Sequence, residues 1–106
     1  MIHHLVLFKL LPEVDEQVVE SMMRDTRIYL LRIPEVLAVR CGKRIDVDNH
    51  WAFFLGVDVD SMEKLQIYSE SPHHLKYVEE VIKPHTTKER FIMDYESDPA
   101  KDIRYS

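Results

Sequence analysis

Histidine is the residue that invites a chemical reading of this chain. There are six in 106 residues, and four of them form two doublets, His3-His4 in "MIHHLVLFKL" and His73-His74 in "SPHHLKYVEE". An imidazole titrates near ~6.5, so at neutral pH it can take up or release a proton, and it also ligates metals. Neighbouring residues point to opposite faces of a strand and diverge by about 100° on a helix. A doublet therefore supplies one side chain to any single site. Along the later helical segment the apolar sector is Leu75, Val78, Val81 and Ile82. His74 lies at its edge, and His73 lies on the polar side near Tyr77 and Glu80. In the first strand His4 shares a face with Val6, Phe8 and Leu10, while His3 shares the other with Leu5 and Leu7. If His4 faces the helices, His4 and His74 meet in one pocket, with His3 on the opposite side of the sheet. His50 and His85 read as loop residues.

Tyr68 precedes His74 by six residues, which on one straight helix places them about 240° apart. Ser71-Pro72 interrupts that helix and resets the angle, so the two can converge. The chemistry such a site permits is proton transfer. Neutral His74 would remove a proton alpha to a carbonyl, and Tyr68 would donate a hydrogen bond to the developing enolate oxygen or orient His74. His74 and Tyr68 are thus the candidate catalytic residues. His4, Val6, Phe8 and Val78 are the candidate substrate-binding residues. The competing reading is that an inward histidine is an ordinary hydrogen-bonded core residue. No metal site is expected: HExxH and Cys/His ligand spacings do not occur, and His4 with His74 offers only two ligands. Cys41 lies in a strand with no base partner identified, and two glycines build no phosphate-cradling loop.

The elements that must position these residues follow from pattern. Residues 2–10 form a strand ended by Leu11-Pro12. Residues 15–33 form a helix whose inner sector holds Val18, Val19, Met22, Met23, Tyr29, Leu30 and Ile33, with Asp15 as N-cap. Strands are expected at 36–45, 51–59 and 89–96. A second helix opens at "DSMEKLQIYSES", capped by Asp60 with Glu63 in a capping box or by Ser61. It breaks at Ser71-Pro72, and a further helix runs to about Lys83. The order βαββαβ is ferredoxin-like α+β, with a four-stranded antiparallel sheet and both helices on one face.

Much of both strand faces is apolar. In the third strand Trp51, Phe53, Leu55, Val57 and Val59 oppose Ala52, Phe54 and Gly56. Two helices cover one face only, so a second copy, sheet against sheet about a two-fold axis, is the expected cover for the other. The net charge of −5 argues against nucleic acid as the main partner. No apolar run approaches the ~20 residues of a membrane span. The start lacks the features of a signal peptide, and a single cysteine forms no internal disulfide. A cytoplasmic chain is expected, organised as one domain over 1–96 and a polar tail over 97–106.

With those segments in order, "IHHLVLFKL", "YSESPHHLKYVEEV" and "FIMDYE", the chain resembles the stress-responsive A/B barrel (Dabb) family over roughly residues 2–96. The resemblance implies a ferredoxin-like subunit that pairs into a dimeric α+β barrel. A plant member of that family is a polyketide cyclase that performs an intramolecular aldol condensation without metal or organic cofactor. Its tyrosine and histidines match Tyr68, His74 and His4, but Ser71 stands where the cyclase has a histidine. The pocket lining differs too, so the cyclase's substrate does not carry over; the residues themselves permit a cofactor-independent lyase, cyclase or isomerase acting on a small apolar carbonyl compound. A non-catalytic stress-responsive or ligand-binding dimer, a cofactor-independent monooxygenase and a purely assembling protein are the alternatives.

Overall fold

A computed structural model describes residues 1–97. The tail expected at 97–106 lies, Ser97 aside, outside the described residues. Strand β1 (Ile2–Leu10) leads to helix α1 (Glu16–Leu30), then to strands β2 (Ala38–Lys43) and β3 (Phe53–Val59). Helices α2 (Met62–Glu70) and α3 (Pro72–Tyr77) follow. A π-helical turn over Val78–Ile82 extends α3, and β4 (Thr86–Glu96) closes the domain. The sheet order is β2-β3-β1-β4 with every neighbouring pair antiparallel, the ferredoxin-like α+β topology.

Helix starts are set by short polar side chains. Asp15 accepts from the Val18 amide at 2.9 Å and caps α1. Of the two candidate caps for α2, Ser61 takes the role at Lys64 N. Asp60 instead pairs with the Lys64 ammonium at 3.0 Å, so the Asp60–Glu63 capping box does not form. Helix α1 and strand β2 are shorter than their sequence patterns, and β4 starts three residues earlier than expected. Because β3 begins at Phe53, its alternation does not reach back to Trp51. The Trp51 ring sits on the helix-free face, 6.5 Å from Phe91 and 5.1 Å from Lys9 Nζ, contrary to the face assigned from period alone.

The core lies between the sheet and the helices. Val6 and Phe8 of β1, with Phe53, Leu55, Val57 and Val59 of β3, pack against Val19, Met22 and Leu30 of α1 and Leu65 and Tyr68 of α2. One buried polar link crosses it. Tyr77 Oη donates to Thr26 Oγ1 at 2.7 Å, and Thr26 Oγ1 donates to the Met22 carbonyl at 2.7 Å. Both residues are fully buried.

This corrects the helical reading of residues 74–82. Tyr77 faces inward and Leu75 is exposed. The wider π turn shifts the phase, so Tyr77, Val81 and Ile82 share the buried side.

On the other face no helix of the described residues packs. Leu5, Leu7 and Phe54 adjoin Phe91, Met93 and Tyr95 of β4, and those last three are 44%, 42% and 41% exposed. One end of this face carries a polar cluster. His3 Nδ1 meets Asp58 Oδ1 at 2.5 Å, Arg40 adds bonds of 3.1 and 3.3 Å to the same carboxylate, and Tyr95 stacks on the His3 ring. Burial alone would raise Asp58, but the hydrogen bonds from His3 and Arg40 together hold it below the usual carboxylate value. No described helix is long and apolar enough to cross a membrane.

The buried Thr26–Tyr77 link gives an ordered expectation at fixed protein concentration. Thr26→Val leaves the Tyr77 hydroxyl buried without an acceptor and should cost about 1–3 kcal/mol, whereas Tyr77→Phe should cost about 1 kcal/mol. Urea denaturation checks this, and a larger loss for Tyr77→Phe would contradict the assignment of donor and acceptor.

Candidate functional site

A cavity of about 220 Å³ opens between the sheet and the α2–α3 segment. All six residues singled out in the sequence line it: His4, Val6, Phe8, Tyr68, His74 and Val78. Its floor is one face of β1, because strand alternation puts His4, Val6 and Phe8 on the helix side in a row. Its roof depends on the helix break. Ser71 is extended, at φ −60° and ψ 135°, which is the conformation favoured before a proline. Its hydroxyl accepts from the His73 amide at 3.3 Å to start α3, with Pro72 in the first turn, where no amide is needed. The redirected chain brings the His74 ring to 4.7 Å from the Tyr68 ring, and His4 lies 5.9 Å from Tyr68 on the other side.

Each polar group in the cavity has a defined state. His74 Nδ1 donates to the Ser69 carbonyl at 3.0 Å, which fixes the tautomer and leaves Nε2 with its lone pair. Burial lowers His74 from its ordinary value, partly offset by the Ser69 bond and reinforced by the nearby His4, so the ring is neutral at pH 7. Tyr68 is fully buried, and its hydroxyl has no protein partner among the described residues. Burial pushes that phenol far above its ordinary value, so it remains a proton donor. His4 Nδ1 meets Asp94 Oδ1 at 2.5 Å across the β1–β4 pairing, which leaves Nε2 as its second polar atom.

Several lining residues were not among the site candidates of the sequence: Leu55, Ser69, Tyr77, Ile82, Arg90 and Ile92. Alternation along β4 puts Arg90, Ile92 and Asp94 on one side, a signal present in the sequence. Their partners, however, depend on a strand register that no local pattern states. The remaining histidines lie elsewhere. His3 is in the cluster on the opposite face, and His85 Nδ1 donates to the Val81 carbonyl at 2.7 Å. Cys41 contacts the Met23 carbonyl at 3.5 Å, and burial raises its thiol above the ordinary value. No group of three or more His, Cys, Asp or Glu side chains among the described residues converges as a metal site.

The family model described as the stress-responsive A/B barrel domain, Dabb, matches residues 2–97. The chain belongs to the Dabb family. Comparison with curated proteins returns no match. Among solved structures, a dimeric ferredoxin-like protein from Thermobifida fusca superposes with a TM-score of 0.77 at 21% identity, covering 89% of this chain and 88% of that one. A Dabb family protein from Mesorhizobium loti gives a TM-score of 0.76 at 19% identity, with coverages of 91% and 95%. A hydroxynitrile lyase from Passiflora edulis gives 0.76 at 13% identity, with coverages of 95% and 96%. At these identities the likeness concerns the fold, and the Dabb sheet and helices account for it.

The state of His74 has a consequence for stability in this Dabb chain. Its folded pKa lies below the unfolded value of ~6.5, so between the two the unfolded chain binds more protons. Its contribution is therefore full above about pH 6.5 and falls as pH drops through the window beneath. His74→Asn, which does not titrate, should flatten the dependence of urea stability on pH in that window. The wild-type ring protons should titrate below the ordinary histidine value by NMR. An unchanged slope in the variant would exclude His74 as its origin.

Proposed function

We propose that the cavity is the active site of a metal-independent acid–base enzyme, a lyase, cyclase or isomerase, acting on a carbonyl compound. The observation that carries this reading is the Tyr68 hydroxyl. It is a buried donor with no partner among the described residues, on a side chain that lines a largely apolar cavity with a neutral His74. An unpaired buried hydroxyl costs about 1–3 kcal/mol, and a ligand oxygen bonded to it removes that cost. A merely structural tyrosine would be expected to bond within the core, as Tyr77 does with Thr26.

The mechanism uses groups already in their working states. His74 Nε2 takes the proton alpha to the substrate carbonyl while Nδ1–H stays on the Ser69 carbonyl. The electron pair moves onto the carbonyl oxygen, and Tyr68 donates a hydrogen bond to the resulting enolate. The protonated His74 then returns its proton to carbon or to a leaving group. His4, held by Asp94, offers its second ring nitrogen as a further polar anchor. Val6, Phe8 and Val78 supply the apolar walls. Positioning of the substrate between these walls supplies the rest of the rate.

The chain acts as a homodimer in this reading. The exposed Phe91, Met93 and Tyr95 on the helix-free face support it, as does the dimeric state of the Thermobifida relative. The family match over 2–97 supports reading 1–96 as one domain followed by a tail. The single cysteine suits a cytoplasmic setting.

The test is exchange of alpha protons for deuterium in a panel of ketones in D₂O, followed by NMR. His74→Ala should lower exchange by ~10²–10⁴-fold with the dimer still folded. Tyr68→Phe should lower it by ~10²-fold or more. Thermal stabilisation by panel members without exchange would instead identify a ligand-binding protein and overturn the catalytic reading.

A further inference from the structure

The reading of the cavity as a carbonyl site leaves one of its lining groups unused. Arg90 stands opposite Phe8 in the β1–β4 register, and its guanidinium lies 5.4 Å from the centre of the Phe8 ring. It lines the cavity together with Tyr68 and His74, and it is the one permanently charged side chain among the described lining residues. Among the strand cations, Lys9 pairs with Glu89, Arg40 with Asp58, and Lys43 with Glu16 and Glu20, whereas the exposed Lys88 and Arg90 of the edge strand β4 form no ion pair among the described residues. No carboxylate of the described residues forms an ion pair with Arg90. The acid nearest along the same strand face, Asp94, is four residues away, about 13 Å on an extended strand, and is bound to His4.

The cavity is thus polarised along its length. At one end are His4, Tyr68 and His74. At the other is the exposed Arg90, without an ion-pair partner among the described residues and set against the Phe8 ring. Val6 and Ile92, paired in register, separate them with apolar surface.

We propose, on the basis of the carbonyl-site reading above, that Arg90 binds the carboxylate of the substrate, which is an oxo acid whose carboxylate lies several bonds from the reacting carbonyl. The separation of the two ends carries this. A 2-oxo acid, with the two groups adjacent, cannot reach both. A single guanidinium fork matches a carboxylate through two parallel hydrogen bonds. A phosphate-type dianion would leave one charge unmatched in a cavity with no second permanent cation among its described lining residues.

The probes are 7-oxooctanoate, its methyl ester, its isomer 2-oxooctanoate and the phosphonate analogue 6-oxoheptylphosphonate. Binding is measured by calorimetry and alpha-proton exchange by NMR. The wild-type protein should bind 7-oxooctanoate at least about tenfold more tightly than the ester or the 2-oxo isomer, as expected for a charge-assisted pair. Arg90→Gln should bring the acid down to the affinity of the ester and leave the ester unchanged. His74→Ala should keep the preference for the acid while losing exchange. A preference abolished by Arg90→Gln with no exchange in any variant would support this inference and overturn the catalytic reading alone.

Equal binding of acid and ester, a preference that survives Arg90→Gln, or no binding by any probe would overturn the inference. Tighter binding of the phosphonate would overturn the choice of carboxylate. Dissociation of the dimer by Arg90→Gln on sedimentation, with the acid preference intact, would assign Arg90 to the subunit interface instead.

Discussion

Everything in this molecule depends on the two-residue repeat of β1, the strand held between β3 and β4. Its pleat sends His4, Val6 and Phe8 toward the helices and His3, Leu5 and Leu7 away from them. The first set makes the cavity floor, and the second makes the centre of an apolar face without helices. A one-residue slip in register would exchange the two sets. The pairing of Phe8 with both Phe53 and Arg90 fixes that register from both sides.

The roof has a different origin. A continuous helix from Met62 to Ile82 would carry Tyr68 and His74 to different sides. Ser71 in an extended conformation and Pro72 without an amide hydrogen interrupt it, and the cap on His73 restarts it in a new direction. The π turn after Tyr77 then changes the phase again and places Tyr77, Val81 and Ile82 against the core. Two local departures from a regular helix therefore build the roof of the cavity. Such departures often occur where function demands them.

Polar groups in the interior divide into satisfied and unsatisfied. Tyr77 and Thr26 satisfy one another, and Asp58 is held by His3 and Arg40. Tyr68 has no protein partner among the described residues, and the tautomer of His74 leaves a base at its second nitrogen. Fully bonded polar groups fix a structure, whereas groups left short of partners in a cavity are available to a ligand.

The sequence by itself determined the order of elements, the break at Ser71-Pro72 and the divergence of the two histidines in each doublet. These follow from local geometry: strand alternation, proline stereochemistry and helical period. The same local rules allowed His4, Val6, Phe8, Tyr68, His74 and Val78 to share one space on the condition that His4 faces the helices, and the fold meets that condition. They misplaced Trp51, Leu75 and Tyr77, because the true start of β3 and the π turn are set by packing on distant elements. Only the tertiary structure decided that Asp94 meets His4, that Arg90 lies over Phe8, that Ser69 sets the tautomer of His74 and that Tyr68 has no protein partner among the described residues. Each is a matter of register or burial between segments far apart in the chain. Periodicity says which way a side chain points, and the fold decides what it finds there.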